Sequence, residues 1–311
     1  MTAADDGLVY ACLTHVPLAI DLPSWVLPIL LGAEQRDGAL NLRDLAPEWE
    51  RHHPKLGSTA GTFALLNLVR ARFPAATRIG ICQYRKFVSP RRIGHVRDPH
   101  YRVMDLVPKS TIRGERLADA LWPGDRSFLV SAPRRFTRVF WHHRGYLREY
   151  ARDHCVEDLL RFVAEATELG VLGRREVEAF LREDVFIPGG AELGVYPAAF
   201  WLDATEQIER VVRACVAKHV TVRDAYQARL WSFCAERLGS WLVLKRFRRD
   251  VASGAEGIGE WLGRRRWTAR FCGQLVFGGQ VLPNGLYDVI LCRAGVAGLD
   301  FALDRLTDVF R

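Results

Sequence analysis

The chain has no C-x-x-C pair, no H-E-x-x-H, no G-x-S-x-G and no G-x-x-x-x-G-K-[ST]. These absences remove zinc knuckles, thioredoxin-type redox sites, zincin proteases, nucleophile-elbow hydrolases and Walker-type NTPases. No G-x-G-x-x-G follows the first apolar run, which argues against a nicotinamide or flavin site. Long hydrophobic runs are missing too. The most apolar stretch, Leu22 to Ala33, is too short to span a bilayer and carries Pro23 and Pro28. The first residues, Met1-Thr2-Ala3-Ala4-Asp5-Asp6, are acidic where a secretory leader is basic. Seven cysteines are scattered at positions 12, 82, 155, 215, 234, 272 and 292, several inside apolar runs. Free cysteine behaves there as a small buried hydrophobe, and a reducing compartment follows. The expected location is the cytoplasm.

What is present is ordinary globular material. The 311 residues are 49% hydrophobic and 26% charged, enough for a large core without staples. Lys and Arg number 44 against 36 Asp and Glu, and arginine supplies nearly all of the resulting +8. That excess suits a polyanion, an anionic membrane or a phosphorylated small molecule, without choosing among them.

Leu8–Thr14 is a continuously apolar run, the pattern of a strand buried on both faces. Ser58 or Thr59 is placed to cap a helix over Ala60–Arg72, which Pro74 stops. Ile79-Gly80-Ile81-Cys82 reads as a second buried strand. It runs into the polar-aromatic cluster Gln83-Tyr84-Arg85-Lys86-Phe87. Strand, helix and strand with short joints predict a parallel α/β layer, in which ligands bind outside the carboxyl ends of the strands. Thr14-His15 and Gln83–Lys86 stand at two such ends. Residues 89–125 read as a polar loop region with a short helix at Arg116–Leu121, and Ser127–Ser131 as a third strand. Val156–Ala166 has amphipathic helical spacing. Gly189-Gly190 reads as a flexible break before a strand near Leu193–Leu202. Helices follow over about 204–218 and 224–245, then two strands within Trp267–Cys292 around Pro283-Asn284-Gly285. The expected organisation is an α/β domain over 1–245 with 246–311 packed on it, or one continuous domain.

Two cations and a phenol after a buried strand, Tyr84-Arg85-Lys86, suit a phosphate-bearing ligand: Arg offers a bidentate fork and Lys a point charge. His154, Asp158 and Arg161 have the spacing to share one helix face. Glu192, after the two glycines and before an apolar strand, is a candidate carboxylate on the other side of a cleft. The adjacent pairs His52-His53 and His142-His143 point apart and read as ordinary histidines.

These segments are similar to a family of bacterial GT-A-type glycosyltransferases from capsule and O-antigen clusters, whose hallmark reads I-G-L-x-H-Y-R-R-Y-F. The resemblance rests on Thr14-His15, Pro28-Ile29 to Gly32-Ala33, Ile79–Phe87, Asp125–Val130, His154 with Asp158-Leu159, and Ala235-Glu236-Arg237-Leu238. It covers about residues 8–245. Gln83 stands where the hallmark has His, and Lys86 where it has Arg. Gln hydrogen-bonds but cannot act as a base, so position 83 takes no proton. The resemblance implies a GT-A-like, Rossmann-type sheet flanked by helices. It also implies transfer of a sugar from a nucleotide-diphosphate donor, such as a UDP-sugar, to a glycan or lipid-linked glycan in surface polysaccharide synthesis. Thr14, His15, Gln83, Tyr84, Arg85 and Lys86 would bind the donor, and Asp158, Glu192 and His154 would serve the chemistry. Most GT-A enzymes hold the donor diphosphate through a divalent cation on a D-x-D motif. This chain has no D-x-D, so no metal cofactor is expected and Arg85 and Lys86 take its place; the alternative is Mn²⁺ or Mg²⁺ held by Asp158 or Glu192 with His154, brought together only by the fold. Apolar and cationic residues interleave over Trp241–Arg249 and Trp261–Trp267, an expected contact with the anionic inner membrane surface. The alternatives are a non-catalytic nucleotide-sugar-binding module and, with no recognised motif behind it, a nucleic-acid-binding protein.

Overall fold

The computed structural model describes residues 7–18, 21–90, 96–97, 104–107, 115–131, 133–136, 145–223, 225–252 and 272–278. Its strands are β1 (Leu8–Thr14), β2 (Val26–Leu30), β3 (Leu40–Asn41), β4 (Arg78–Gln83), β5 (Lys86–Ser89), β6 (Val96–Arg97), β7 (Met104–Val107), β8 (Leu129–Ser131), β9 (Arg134–Arg135), β10 (Val185–Phe186), β11 (Gly194–Pro197) and β12 (Cys272–Gly278). The helices are α1 (Leu42–Leu45), α2 (Pro47–Glu50), α3 (His53–Leu56), α4 (Ser58–Arg72), α5 (Glu115–Leu121), α6 (Tyr146–Asp153), α7 (Val156–Glu168), α8 (Val177–Arg182), α9 (Ala198–Lys218) and α10 (Leu230–Ala252).

The main sheet runs β3-β2-β1-β4-β11-β8-β12-β7-β6, with β5 bridging β4 and β12. Parallel pairing joins β3, β2, β1 and β4 and recurs where β12 lies between β8 and β7. The strands β11, β5 and β6 run antiparallel to their neighbours. The architecture is the expected α/β one, a sheet with a parallel core flanked by helices. All seven residues of β1 are buried, as its unbroken apolar run requires. Val9, Ala11 and Leu13 face the large core under α4, α7, α9 and α10, while Leu8, Tyr10 and Cys12 face a smaller one with Cys82, Val88 and Leu117.

Glycine permits the register of the first two parallel strands. Gly80 pairs with Tyr10, and a Cβ on Gly80 would stand 2.0 Å from Tyr10 Cδ2. The ring is fully enclosed and cannot swing away. Gly80→Ala is therefore expected to lose about 1–3 kcal/mol from overpacking, read by urea denaturation. A loss under about 0.5 kcal/mol, the range of a neutral surface change, would contradict this packing.

The structure corrects several element boundaries. Residues 89–125 hold β6 and β7 as well as a helix. The strand expected to reach Leu202 stops at Pro197, where α9 begins. Residues Ala225–Arg229 form a short 3-10 turn, and α10 continues past 245 to Ala252. The C-terminal segment supplies β12 to the main sheet, between β8 and β7. The turn at Pro283-Asn284-Gly285 and the pair His142-His143 lie outside the described residues. The stretch 241–249 does not present its apolar side chains to a membrane: Trp241, Leu242, Leu244 and Phe247 are buried in the core. Its cations Lys245, Arg246 and Arg248 pair with Glu176, Asp250 and Glu183. Trp261–Trp267 lies outside the described residues. No helix among them is long and apolar enough to cross a membrane.

Candidate functional site

The carboxyl ends of β1 and β4 converge with the start of α4, the loop before β11 and the start of α10. Between β4 and β5, Tyr84 and Arg85 form a two-residue turn closed by the pairing of Gln83 with Lys86. The Tyr84 amide donates to the Leu13 carbonyl at 2.9 Å, which ties the turn to the end of β1. His15 stands edge-on to Tyr84 at 4.9 Å between ring centroids, and the Arg85 guanidinium lies 5.2 Å from the same ring. Thr14 is buried, and its hydroxyl donates to the Val16 carbonyl at 2.5 Å. It shapes the chain after β1, where His15 is exposed.

Glu192 is buried at the centre of this cluster. Its Oε1 accepts from Thr59 Oγ1 at 2.8 Å and its Oε2 from Ser58 Oγ at 3.3 Å. Gln83 Nε2 donates to Ser58 Oγ at 2.9 Å, and Thr59 Oγ1 lies 2.8 Å from Ser232 Oγ. The sequence suggests Ser58 or Thr59 as a helix cap. The cap residue is instead Gly57, with φ 53°, and both hydroxyls serve the carboxylate.

The loop that carries Glu192 is tied down at several points. Gly189 donates its amide to Glu236 Oε1 at 2.7 Å, and Ile187 donates to Ser240 Oγ at 2.9 Å. The Tyr196 hydroxyl lies 2.6 Å from the carbonyl oxygens of Gly190 and Leu193, and Trp201 Nε1 donates to the Ala191 carbonyl at 3.0 Å. Gly190 takes φ 50°, and a Cβ there would stand 2.6 Å from the Glu236 carbonyl oxygen. Glycine is needed so that loop and helix can touch backbone to backbone. The carboxylate is thus held in advance of any ligand, as a catalytic group needs to be.

Burial pushes the Glu192 carboxyl up to about 7; hydrogen bonds from Thr59 and Ser58 oppose this, and the charge of Glu236 adds to it. Lys86 is shifted down, first by burial. Glu236 opposes that shift, while Arg85 and Arg229 reinforce it. His15, exposed but partly desolvated by the groups around it, is also shifted down, with Arg85 and Arg229 adding to the effect. A carboxyl titrating near neutrality thus sits among cations, an arrangement able to take a proton from an alcohol beside a neutralised phosphate.

His154 and Asp158 do not join this cluster as expected. His154 ends α6 with extended backbone, outside α7, so the two do not share a helix face. Its ring stacks on Phe233 at 4.2 Å and its Nδ1 lies 3.1 Å from Gln227 Oε1. Burial drives it down to about 4, which keeps it neutral at pH 7. Asp158 is buried and receives Arg223 Nη2 at 3.2 Å and Nε at 3.3 Å, while Arg161 pairs with Glu157.

Sequence reasoning missed Ser58, Thr59, Ser232, Glu236, Arg229 and His53. Glu236 lies in the A-E-R-L stretch, which the resemblance singles out without giving it a role. His53, read as ordinary, lies 6.3 Å from His15, and its Nε2 is enclosed without a hydrogen-bond partner.

The residues at the strand ends are cationic and polar rather than a set of metal ligands. Gln83, Tyr84, Arg85 and Lys86 supply two cations, and the nearby carboxylates are already engaged by Ser58 and Thr59 and by the Gly189 amide. Among the described residues no group of three or more His, Cys, Asp or Glu is placed to hold one.

No protein-family model and no curated protein matches the chain. A search of solved structures finds similarity to WbbM, described as a bifunctional glycosyltransferase in its apo form, at TM-score 0.64 and 13% identity. The match covers 89% of this chain and 47% of the other, so the chain spans about half of that enzyme's length. The fold is therefore a glycosyltransferase-like α/β fold. At that identity the likeness establishes architecture alone.

Proposed function

We propose that the protein is a glycosyltransferase that moves a sugar from a nucleotide-diphosphate donor to the hydroxyl of a glycan or lipid-linked glycan. The observation that carries the reading is Glu192, buried and held by Ser58 and Thr59 near the carboxyl ends of parallel strands, with the charge of Lys86 acting on it. The glycosyltransferase-like fold and the sequence hallmark around Gln83–Phe87 support it. In this account Arg85 and Lys86 neutralise the departing diphosphate, Tyr84 contacts a phosphate oxygen or the donor sugar, and His15 lines the nucleotide side. Glu192 removes the proton of the attacking hydroxyl. Gln83 orients Ser58, and through it the carboxylate, without exchanging a proton itself.

Fixed cations replace a metal here, so transfer is expected to survive a chelator. The check is release of nucleoside diphosphate from a panel of donors and glycan acceptors, in EDTA and in added Mn²⁺. Equal rates in both support the proposal. A rate abolished by EDTA and restored by Mn²⁺ contradicts it.

A further inference from the structure

We propose that Arg229 is a second arm of the phosphate clamp, which with Arg85 spans two phosphoryl groups and selects diphosphate-linked over monophosphate-linked donors. The inference deepens the proposed function and rests on it for the identity of the ligand as a sugar donor; the anion site stands on geometry.

Arg229 closes the 3-10 turn Ala225–Arg229 that leads into α10. Its guanidinium lies 4.7 Å from the Tyr226 ring centroid and 5.6 Å from that of Phe233. Phe233 in turn stacks on His154 at 4.2 Å. Aromatic faces hold a cation in place without neutralising its charge. The stem of Arg229 passes Gly57, with Cδ 3.7 Å from where a Cβ there would stand, just before the hydroxyls that hold Glu192. Arg85 is held in the same way, over Tyr84. Among the described residues no carboxylate forms a salt bridge with either guanidinium, whereas Arg152, Arg213, Arg223, Arg237, Arg246 and Arg248 all have one.

Both guanidiniums act on the same two groups, His15 and Lys86. The geometry places them on the same side of the site: Arg229 runs past Gly57, whose neighbour Ser58 is bonded by Gln83 at 2.9 Å, and Gln83 opens the turn that carries Arg85. Like charges so gathered repel, and an anion placed between them removes that cost. Each guanidinium presents a fork that matches one phosphoryl group. Two forks from two elements fit a ligand with two phosphoryl groups better than one with a single group. Arg229 also immediately precedes the helix that carries Ser232 and Glu236, so one rigid element serves both the anion and the carboxylate.

The test is calorimetric titration of the whole chain with inorganic pyrophosphate and, separately, inorganic phosphate, on wild type, Arg229→Ala, Arg229→Lys and the distant exposed control Arg182→Ala. Wild type is expected to bind pyrophosphate at least tenfold more tightly than phosphate. Arg229→Ala should weaken pyrophosphate about 10- to 100-fold and leave phosphate within about threefold, because phosphate needs one arm only. Arg229→Lys should recover part of the loss and the control none. Arg229 is exposed, so unchanged circular dichroism is expected for each variant. Equal pyrophosphate affinity in wild type and Arg229→Ala would overturn the inference even if the protein transfers sugars. A clamp that depends on Arg229 in a protein that turns over no nucleotide sugar would leave the clamp standing and remove the glycosyltransferase reading.

Discussion

Glu192→Gln is expected to lower donor turnover by about 10²–10⁴, the range that a positioned general base contributes. Gln keeps the shape and can still hydrogen-bond Thr59 and Ser58, so the loss should fall on the rate and leave donor affinity nearly unchanged. In wild type the base acts only when ionised. With the carboxyl near 7, the rate should rise with pH up to about 7 and level off above it, and the variant should lack that limb. Stability supplies an independent sign. The folded-state carboxyl titrates above its ordinary 4.5, so its contribution is fully present below 4.5 and is lost as pH rises through about 7. A neutral side chain avoids the burial of charge. Glu192→Gln should therefore be more stable than wild type at pH 8, by up to about 3 kcal/mol, and about equal to it at pH 4. A variant that is slower and also less stable at pH 8 would point to a damaged fold and contradict the role given to Glu192.

The second large effect is expected at the cationic turn. Arg85→Ala should reduce kcat/KM by about 10²–10³, equivalent to about 2–4 kcal/mol of lost stabilisation of the leaving diphosphate. Lys86→Ala should cost less at the phosphate, because only Arg grips bidentately. Its effect has a different signature. Lys86 opposes the rise of the Glu192 carboxyl, so removing it should push that group further up and move the rate limb to higher pH. A steady-state comparison across pH 5.5 to 9 separates the two variants. Equal losses with unshifted profiles would contradict the division of labour between the two residues.

The parts of this account legible in the sequence are those set by short-range patterns. An apolar run such as Leu8–Thr14 has one economical fate, a strand covered on both faces. Glu192 was legible because two glycines before a carboxylate mark a special backbone. The role of those glycines was not legible: positive φ at Gly189 and Gly190 serves a tight packing, at Gly190 against α10, that no local pattern reveals. His154 and Asp158 failed for a related reason. Spacing of four residues implies a shared face only within one helix, and the helix break at His154-Cys155 separates them. The residues that complete the site, Ser58, Thr59, Ser232, Glu236 and Arg229, meet Glu192 or its neighbours across large sequence separations. Only packing brings those together. The basic-aromatic stretch 241–249 shows the converse: its composition matches a membrane contact, yet most of its apolar side chains are needed in the core.

The most direct test of the central claim is saturation-transfer NMR on the whole chain with uridine, guanosine and thymidine diphosphate sugars, in EDTA and with added Mg²⁺. The account predicts transfer to both nucleoside and sugar protons of at least one donor in EDTA, displaced by pyrophosphate and weakened in Arg85→Ala. Absence of transfer to every donor in both conditions would contradict it.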